Sequence, residues 1–183
     1  AGEHNRANAI AAIVAAEHIG ITPAESIEAL AAFQGVRRRL EVRGTVGGVT
    51  VIDDFAHHPT AIATTIAGLR ARMQAGSHPG GRLLAVLEPR SNTMRTGTLK
   101  AQLPASLQDA DLVFCYAGGI DWDAQAALAP LGERVAVFRD MPALEAAILA
   151  AARPGDQVLV MSNGGFGGIH GRLLAGLDSR KGN

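Results

Sequence analysis

The sequence predicts a doubly wound α/β fold built on a mostly parallel sheet. From about residue 36 onward, short apolar runs alternate with stretches of helical periodicity, which is the pattern of parallel strands joined by helical crossovers. Aromatic residues make up only 4% of the chain and 22 residues are glycine, so helices can lie close on a sheet. The pair Gly47-Gly48, between two strand-like segments, adds an antiparallel hairpin at one edge.

Two helices are expected before the sheet. The second begins at Thr22, because Thr22 and Glu25 have the spacing of a capping box and Pro23 suits the first helical position. The period changes from helical to alternating at about residues 35 to 37. We therefore predict two parts, residues 1–35 and residues 36–183.

The expected strands are apolar runs bounded by turn signals. In the first of them, Leu40 and Val42 are expected to point inward. The later runs are apolar throughout, as in a parallel strand that is covered on both faces. The strands are predicted at residues 38–46, 49–52, 83–87, 112–116, 135–138 and 158–161.

Helical stretches separate these strands. Pro59 opens the first, and a second starts at about Thr96 but must break or kink at Pro104. Pro142 opens a later one. In the helix after Pro59, the residues expected on the inner face are Ile62, Ile66, Leu69 and Met73. Shorter helices are expected at residues 123–129 and 169–177.

Composition excludes several classes of protein. Lys+Arg and Asp+Glu are both 17, so no overall positive field favours nucleic acid. A single cysteine excludes an internal disulfide framework and fits a reducing compartment. No apolar run approaches the roughly 18 residues of a membrane span, and the N-terminal residues do not have the pattern of a signal peptide. We expect neither nucleic acid nor membrane as a partner.

Polar and glycine residues collect where the predicted strands end. The carboxyl ends of parallel strands lie at one edge of such a sheet, which is where ligands bind. The sequence therefore predicts a site at this edge. The segments that follow the strands are Asp53–Pro59, Glu88–Thr93, Ala117–Gly119 and Ser162–Gly168.

Each of these segments allows a structural and a functional interpretation. Asp53 and Asp54 could end a strand and cap a helix, or a carboxylate there could hold a ribose hydroxyl. Arg90 could be a solvated side chain or a clamp for a carboxylate or phosphate. His57 and His58 could be metal ligands, but adjacent histidines point in different directions and no partner set is evident, so no metal site is predicted.

The glycine-rich segment at residues 162–168 also has two interpretations. It could be a tight turn from strand to helix, or a loop whose backbone N–H groups receive an anion. The chain has no GxxxxGK[ST] motif, so this segment is not a Walker loop.

Taken together, the motifs resemble the C-terminal part of a Mur ligase. The general motifs are G-x-H-N-x-x-N-A at residues 2–9 and F-x-G-V-x-R-R-x-E at residues 33–41. The D-D-F-A-H-H-P segment at residues 53–59 resembles a subgroup of the family. Three segments resemble one branch of it: E-P-R-S-N-T-M at residues 88–94, F-C-Y-A-G-G-I-D-W-D at 114–123 and S-N-G-G-F-G-G at 162–168.

This resemblance implies a function and partners. That branch joins L-alanyl-γ-D-glutamyl-meso-diaminopimelate to UDP-N-acetylmuramate through an acyl phosphate, with ATP and Mg²⁺, in the bacterial cytoplasm and for peptidoglycan recycling. The alternative is the branch that adds L-alanine to UDP-N-acetylmuramate, which shares the D-D-x-x-H-H-P segment. The family has three domains, so residues 1–35 would be the last helices of a central ATP-binding domain. Without an N-terminal domain or a P-loop, the chain is expected to be inactive alone.

The resemblance also assigns roles to residues. His58 and His57 would be catalytic, near the transferred phosphate or the incoming amine, and the magnesium ligands would lie in the central domain. The residues assigned to ATP are His4, Asn5, Asn8, Arg39 and Asp54. The residues assigned to the peptide are Arg90, Asn92, Ser162, Asn163, Gly164 and Gly165.

Two other classes of function explain less. A signalling receiver would use an acidic pair such as Asp53-Asp54, but it also needs a lysine at a later strand end. The only lysines, Lys100 and Lys181, are not at strand ends. A purely structural domain would not require polar groups gathered at one edge.

Overall fold

A computed structural model describes residues 3–33, 36–76 and 80–180 of the chain, with side chains from Arg6 onward. The chain divides into two compact units, residues 1–37 and residues 38–183. The first unit contains helices α1 (Glu3–His18) and α2 (Pro23–Ala32). The predicted capping box of α2 is confirmed: the Glu25 amide donates to Thr22 Oγ1 at 3.3 Å, and the Thr22 amide donates to the Glu25 carboxylate at 2.8 Å.

The second unit confirms the predicted doubly wound α/β fold. Its strands are β1 (Glu41–Val46), β2 (Val49–Asp54), β3 (Leu83–Leu87), β4 (Leu112–Tyr116), β5 (Val135–Phe138) and β6 (Gln157–Met161). Their order in the sheet is β1-β2-β6-β3-β4-β5. Among the described strands, only the β1–β2 pair is antiparallel, and Gly47 and Gly48 join its two strands with positive φ values of 60° and 77°.

Two helical layers cover the sheet. The helices of this unit are α3 (Pro59–Ala75), α4 (Asn92–Arg95), α5 (Leu103–Leu107), α6 (Ala124–Leu128), α7 (Met141–Ala151) and α8 (Ile169–Ser179). Helices α3, α5 and α6 contribute to the core on one face, and α7 and α8 contribute to the core on the other. The four inner residues predicted for α3 are all buried, as expected for one face of an amphipathic helix.

Three details of the prediction are wrong. The first strand begins at Glu41 rather than at Arg38, because Arg38 and Leu40 have positive φ values of 57° and 48° that a strand does not allow. Val42 is 49% exposed, because a bulge between Val42 and Gly44 interrupts the pairing of β1 with β2 and breaks the alternation of side chains. The predicted helix from about Thr96 is absent: α4, which Ser91 caps, ends at Arg95, and residues 96–99 form turns before a 3₁₀ turn at Lys100–Gln102 and α5. Pro104 lies in the first turn of α5, where proline fits, so it marks the start of a helix rather than a break within one.

Candidate functional site

The carboxyl ends of three neighbouring strands bring the candidate segments together. β6 lies between β2 and β3, and the three strands end in register, since Met161 lies opposite both Asp54 and Leu87. The pairing continues one step beyond β6: the Ser162 amide donates to Asp54 O at 3.2 Å, and the Glu88 amide donates to Met161 O at 3.1 Å. The segments that begin at residues 55, 88 and 162 therefore leave the sheet side by side.

Asp54 is buried and fully engaged with its own chain. Its Oδ1 accepts from the Ala56 amide at 2.8 Å and from Thr65 Oγ1 at 3.2 Å, and its Oδ2 accepts from the Leu40 amide at 2.8 Å. These contacts hold the turn that leads into β1 against the end of β2. They give the carboxylate a structural role of its own, and its contact with ATP stays a prediction.

The neighbouring Asp53 is the centre of a charged cluster. Arg38 Nε lies 3.3 Å from both carboxylate oxygens, Arg43 Nη1 lies 3.6 Å from Oδ2, and His170 Nε2 lies 3.3 Å from Oδ1. Burial lowers the pKa of His170 below its usual value; Asp53 opposes this effect and the two arginines add to it. The Asp53 carboxylate is thus neutralised mainly by arginine.

Arg38 extends from this cluster to the glycine-rich loop. Its Nη2 donates to the backbone oxygens of Ser162 at 2.6 Å and Gly164 at 2.9 Å. No role was predicted for Arg38, although it stands next to Arg39 in the same motif. Arg39 is exposed, and its guanidinium carbon lies 5.8 Å from the centre of the Phe55 ring.

The two histidines at the start of α3 differ in their surroundings. His57 Nδ1 lies 2.9 Å from Phe55 O, and because a carbonyl oxygen only accepts, Nδ1 carries the hydrogen. In the neutral ring, Nε2 is then an acceptor. His58 is exposed and precedes α3, and the two rings lie 5.3 Å apart. The structure brings the predicted catalytic pair to the same edge as Asp54.

The loop after β6 forms a platform for Arg90. Ser162 Oγ donates to Glu88 Oε2 at 2.5 Å and accepts from the Gly164 amide at 2.9 Å, which closes the loop onto the end of β3. A side chain at Gly164 would collide with Arg90, because a Cβ there would lie 1.9 Å from Arg90 Nη1. The guanidinium of Arg90 therefore lies directly against the Gly164 backbone.

Asn163 is the residue of this loop whose bonding is incomplete. Its Oδ1 is buried, and it has no hydrogen-bond partner among the residues that the structure describes. A buried acceptor without a partner is costly, so it is suited to receive a donor from a ligand. Gly165 is exposed and begins the 3₁₀ turn that precedes α8.

Asn92 and Arg90 flank the start of α4. Asn92 is exposed. The helix that carries it, α4, is held by Trp122, whose Nε1 donates to Met94 O at 2.7 Å. Trp122 is only 7% exposed. The loop before α6 thus supports the segment that follows β3.

The predicted ATP residues of the first unit can be placed only in part. Asn8 is exposed on α1, whereas His4 and Asn5 are not among the residues whose side chains the structure describes. Among the described residues, no group of three or more His, Cys, Asp or Glu side chains could hold a metal ion. None of the described helices has the length and apolar character needed to cross a membrane.

Comparisons with known proteins agree on one family. The model of the Mur ligase glutamate ligase domain matches residues 38–164. A UDP-N-acetylmuramate–L-alanyl-γ-D-glutamyl-meso-2,6-diaminoheptanedioate ligase of Escherichia coli K12 is 48% identical over 177 residues. The match covers 96% of this chain and 38% of the relative, so the chain spans about two fifths of that relative's length.

Two solved structures extend the similarity to the fold. A murein peptide ligase from Psychrobacter arcticus has a TM-score of 0.76 at 39% identity, over 97% of this chain and 38% of that one. A domain assigned to a UDP-N-acetylmuramate:L-alanyl-γ-D-glutamyl-meso-diaminopimelate ligase of Haemophilus ducreyi has a TM-score of 0.64 at 46% identity. This match covers 76% of the present chain and 99% of the domain.

Proposed function

The chain belongs to the Mur ligase family, and from this premise we propose that it is the C-terminal part of a ligase that joins L-alanyl-γ-D-glutamyl-meso-diaminopimelate to UDP-N-acetylmuramate. The observation that carries the proposal is the platform on which Arg90 lies against Gly164, at the edge shared by β2, β6 and β3. Free L-alanine carries one carboxylate, whereas the tripeptide carries several, so an enzyme that takes the tripeptide needs more anion receptors than one that takes L-alanine.

The diaminopimelate end of the peptide fits the platform chemically. It carries a carboxylate and an ammonium group, and the exposed guanidinium of Arg90 can bind the carboxylate with two parallel hydrogen bonds. Asn163 Oδ1, which lacks a partner among the described residues, can accept from the ammonium group. Asn92 and the 162–165 loop, with Ser162, Gly164 and Gly165, complete the proposed peptide site.

The proposed reaction has two steps. The carboxylate of UDP-N-acetylmuramate attacks the γ-phosphorus of ATP, which gives an acyl phosphate and ADP. The peptide amine then attacks the acyl carbon, phosphate leaves, and the amine gives up a proton. Most of the catalysis comes from positioning and from stabilising charge on phosphoryl and carbonyl oxygens.

His57 and His58 are the proposed acceptors of that proton. The hydrogen bond from His57 Nδ1 to Phe55 O selects, for the neutral ring, the tautomer in which Nε2 is the acceptor that a base needs. His58 lies beside it and is open to solvent. This geometry supports His57 as the stronger candidate of the two.

The ATP side of the proposal depends on a longer protein. We assign His4, Asn5 and Asn8 to ATP from the first unit, and Arg39 and Asp54 from the second. Residues 1–35 would be the last helices of the central domain. Ile10 and Val14 on α1 are 62% and 59% exposed, and they would form an apolar surface against which the rest of the central domain could pack.

The remaining requirements would come from the rest of that protein. Mg²⁺, which would neutralise phosphate charge, would be bound by the central domain. Because the chain has no Walker motif, we expect no ligation by it alone. By its family and substrates, the reaction would take place in the bacterial cytoplasm and serve peptidoglycan recycling.

Arg90→Ala in the full-length ligase tests the peptide assignment. Loss of a hydrogen-bonded charge pair that the bound peptide itself shields from water costs about 3 kcal/mol, so the KM for the tripeptide should rise about 100-fold while the KM for ATP changes less than about twofold. Arg172→Ala is the matched control, since Arg172 pairs with Glu145 on helices outside the site. An ATP KM that rises as much as the peptide KM, or a wild-type enzyme that prefers L-alanine to the tripeptide, would contradict the proposal.

A further inference from the structure

Arg38 connects the charged cluster around Asp53, at the end of β2, to the proposed peptide site. We propose that Arg38 is a positioning residue, which holds the 162–164 loop in the conformation on which Arg90 meets the peptide. This inference rests on the proposed function, since it concerns the same peptide site. No contact of Arg38 with ATP or peptide is required.

The guanidinium of Arg38 is bound from both sides. Nε faces the two oxygens of Asp53 at 3.3 Å, and Nη2 donates to the backbone oxygens of Ser162 and Gly164 at 2.6 and 2.9 Å. The side chain of Asp53 is only 4% exposed, so this charged anchor is well shielded from water. A planar fork is needed to reach a carboxylate and two carbonyl groups at once, and the single ammonium of lysine cannot do this.

The backbone at Arg38 is also fixed in an unusual conformation. Its φ of 57° lies in the left-handed region, which is uncommon for a residue other than glycine. Its amide donates to Glu41 Oε2 at 2.8 Å, and its oxygen accepts from the Phe55 amide at 2.8 Å. The ring of Phe55 lies 5.2 Å from the guanidinium carbon. Together these contacts hold the backbone of Arg38 in one conformation and so fix the direction of its side chain.

The effect of this anchor on Arg90 passes through Gly164. Arg38 binds Gly164 by its carbonyl oxygen, while Arg90 lies against the position that a Cβ of Gly164 would occupy. If Arg38 is removed, the carbonyl groups of Ser162 and Gly164 lose their charged donor and can turn towards water. The platform under Arg90 then shifts, although every group that touches the peptide is still present.

Steady-state kinetics of the full-length ligase test this inference. Arg38→Ala should raise the KM for the tripeptide about 10- to 100-fold, with KM values for ATP and UDP-N-acetylmuramate changed less than about twofold. Arg38→Lys, which restores the charge but not the fork, should recover part of the loss. In an Arg90→Ala background, Arg38→Ala should have little further effect on the peptide KM, because both changes act on one contact.

Two further measurements keep the test decisive. Hydrogen exchange without substrates should show faster exchange of the amides of residues 163–166 in Arg38→Ala, and no change in the control Arg172→Ala. If Arg38→Ala does not fold, Gly164→Ala disturbs the same platform from the opposite side and should produce the same rise in peptide KM.

Several results would overturn the inference. These are a folded Arg38→Ala enzyme with an unchanged peptide KM, an equal rise in all three KM values, or effects of Arg38→Ala and Arg90→Ala that multiply. An unchanged peptide KM in Gly164→Ala would do the same. A wild-type enzyme that does not use the tripeptide would overturn the proposed function alone, since faster exchange in Arg38→Ala would still assign the anchoring of the loop to Arg38.

Discussion

Replacing Asp54 by alanine separates a structural role of this carboxylate from a role in binding ATP. Asp54 is 2% exposed, and its oxygens accept from the amides of Leu40 and Ala56 and from the hydroxyl of Thr65. Asp54→Ala removes the acceptor of all three donors. The turn that carries Arg38 into β1 then loses its attachment to the end of β2.

The size of the effect follows from these three contacts. A hydrogen bond to a charged acceptor contributes about 1.5–3 kcal/mol, and breaking a buried network usually costs less than the sum because the freed donors relax towards water. We therefore expect Asp54→Ala to lower the free energy of unfolding by about 4 kcal/mol, or about 8–16 °C in Tm for a chain of this size. Thr65→Val removes only one of these donors and should lower the free energy of unfolding by about 1 kcal/mol.

The fluorescence of Trp122 provides the assay. It is the only tryptophan of the chain and is buried in the second unit, so urea unfolding followed at this residue reports on the unit that contains Asp54. A loss below about 1 kcal/mol in Asp54→Ala would refute the structural interpretation. In the full-length ligase, a higher ATP KM in Asp54→Ala but not in Thr65→Val would support the predicted nucleotide contact.

Three further predictions concern packing, pH and reactivity. Gly97→Ala should lower the free energy of unfolding by about 2–4 kcal/mol, because the φ of Gly97 is +75° and the new Cβ would lie 2.8 Å from Trp122 Cδ1. The control is Gly119→Ala, whose new Cβ would meet nothing within 4 Å and which should change the free energy of unfolding by less than about 0.5 kcal/mol. Burial lowers the pKa of His170, so the folded protein holds this ring less protonated than the unfolded chain does, and stability should fall as the pH drops from about 7 to about 5. His170→Gln should flatten this slope in urea titrations at the two pH values, and an unchanged slope would show that other groups cause it. Burial raises the pKa of Cys115 to about 12, so the thiol should resist a disulfide reagent at about pH 8 until denaturant is added; rapid labelling of the native protein would contradict this.

The sheet could be predicted from the sequence because its strands are local signals. The runs at residues 83–87 and 112–116 are apolar from end to end, and the structure places strands at those residues. Val42 was misplaced for a physical reason: the bulge depends on how β1 pairs with β2, and the one signal of it in the sequence is Gly44, a glycine in the interior of the strand at the point where the register shifts. The hydrophobic pattern of one strand does not by itself determine the register in which it pairs with the neighbouring strand.

The site could be predicted in outline but not in its internal contacts. Strand ends identified the edge at which Asp54, Arg90 and Asn163 gather, because parallel strands of one sheet end together. The structural contacts of Asp54 and the reach of Arg38 depend on a left-handed turn at Arg38 and Leu40, with φ of 57° and 48°. Neither residue is glycine, so their sequence gives no sign of that turn.

The position of β6 in the sheet has a consequence for biosynthesis. β6 is the last of the described strands along the chain, yet it lies between β2 and β3 and pairs with both. A nascent chain that has not reached residue 157 therefore carries two separate pieces of sheet, each with an open edge that could pair with another polypeptide. The gap closes only when residues 157–161 have left the ribosome and paired with both pieces, so premature termination before residue 161 would leave a product prone to aggregation.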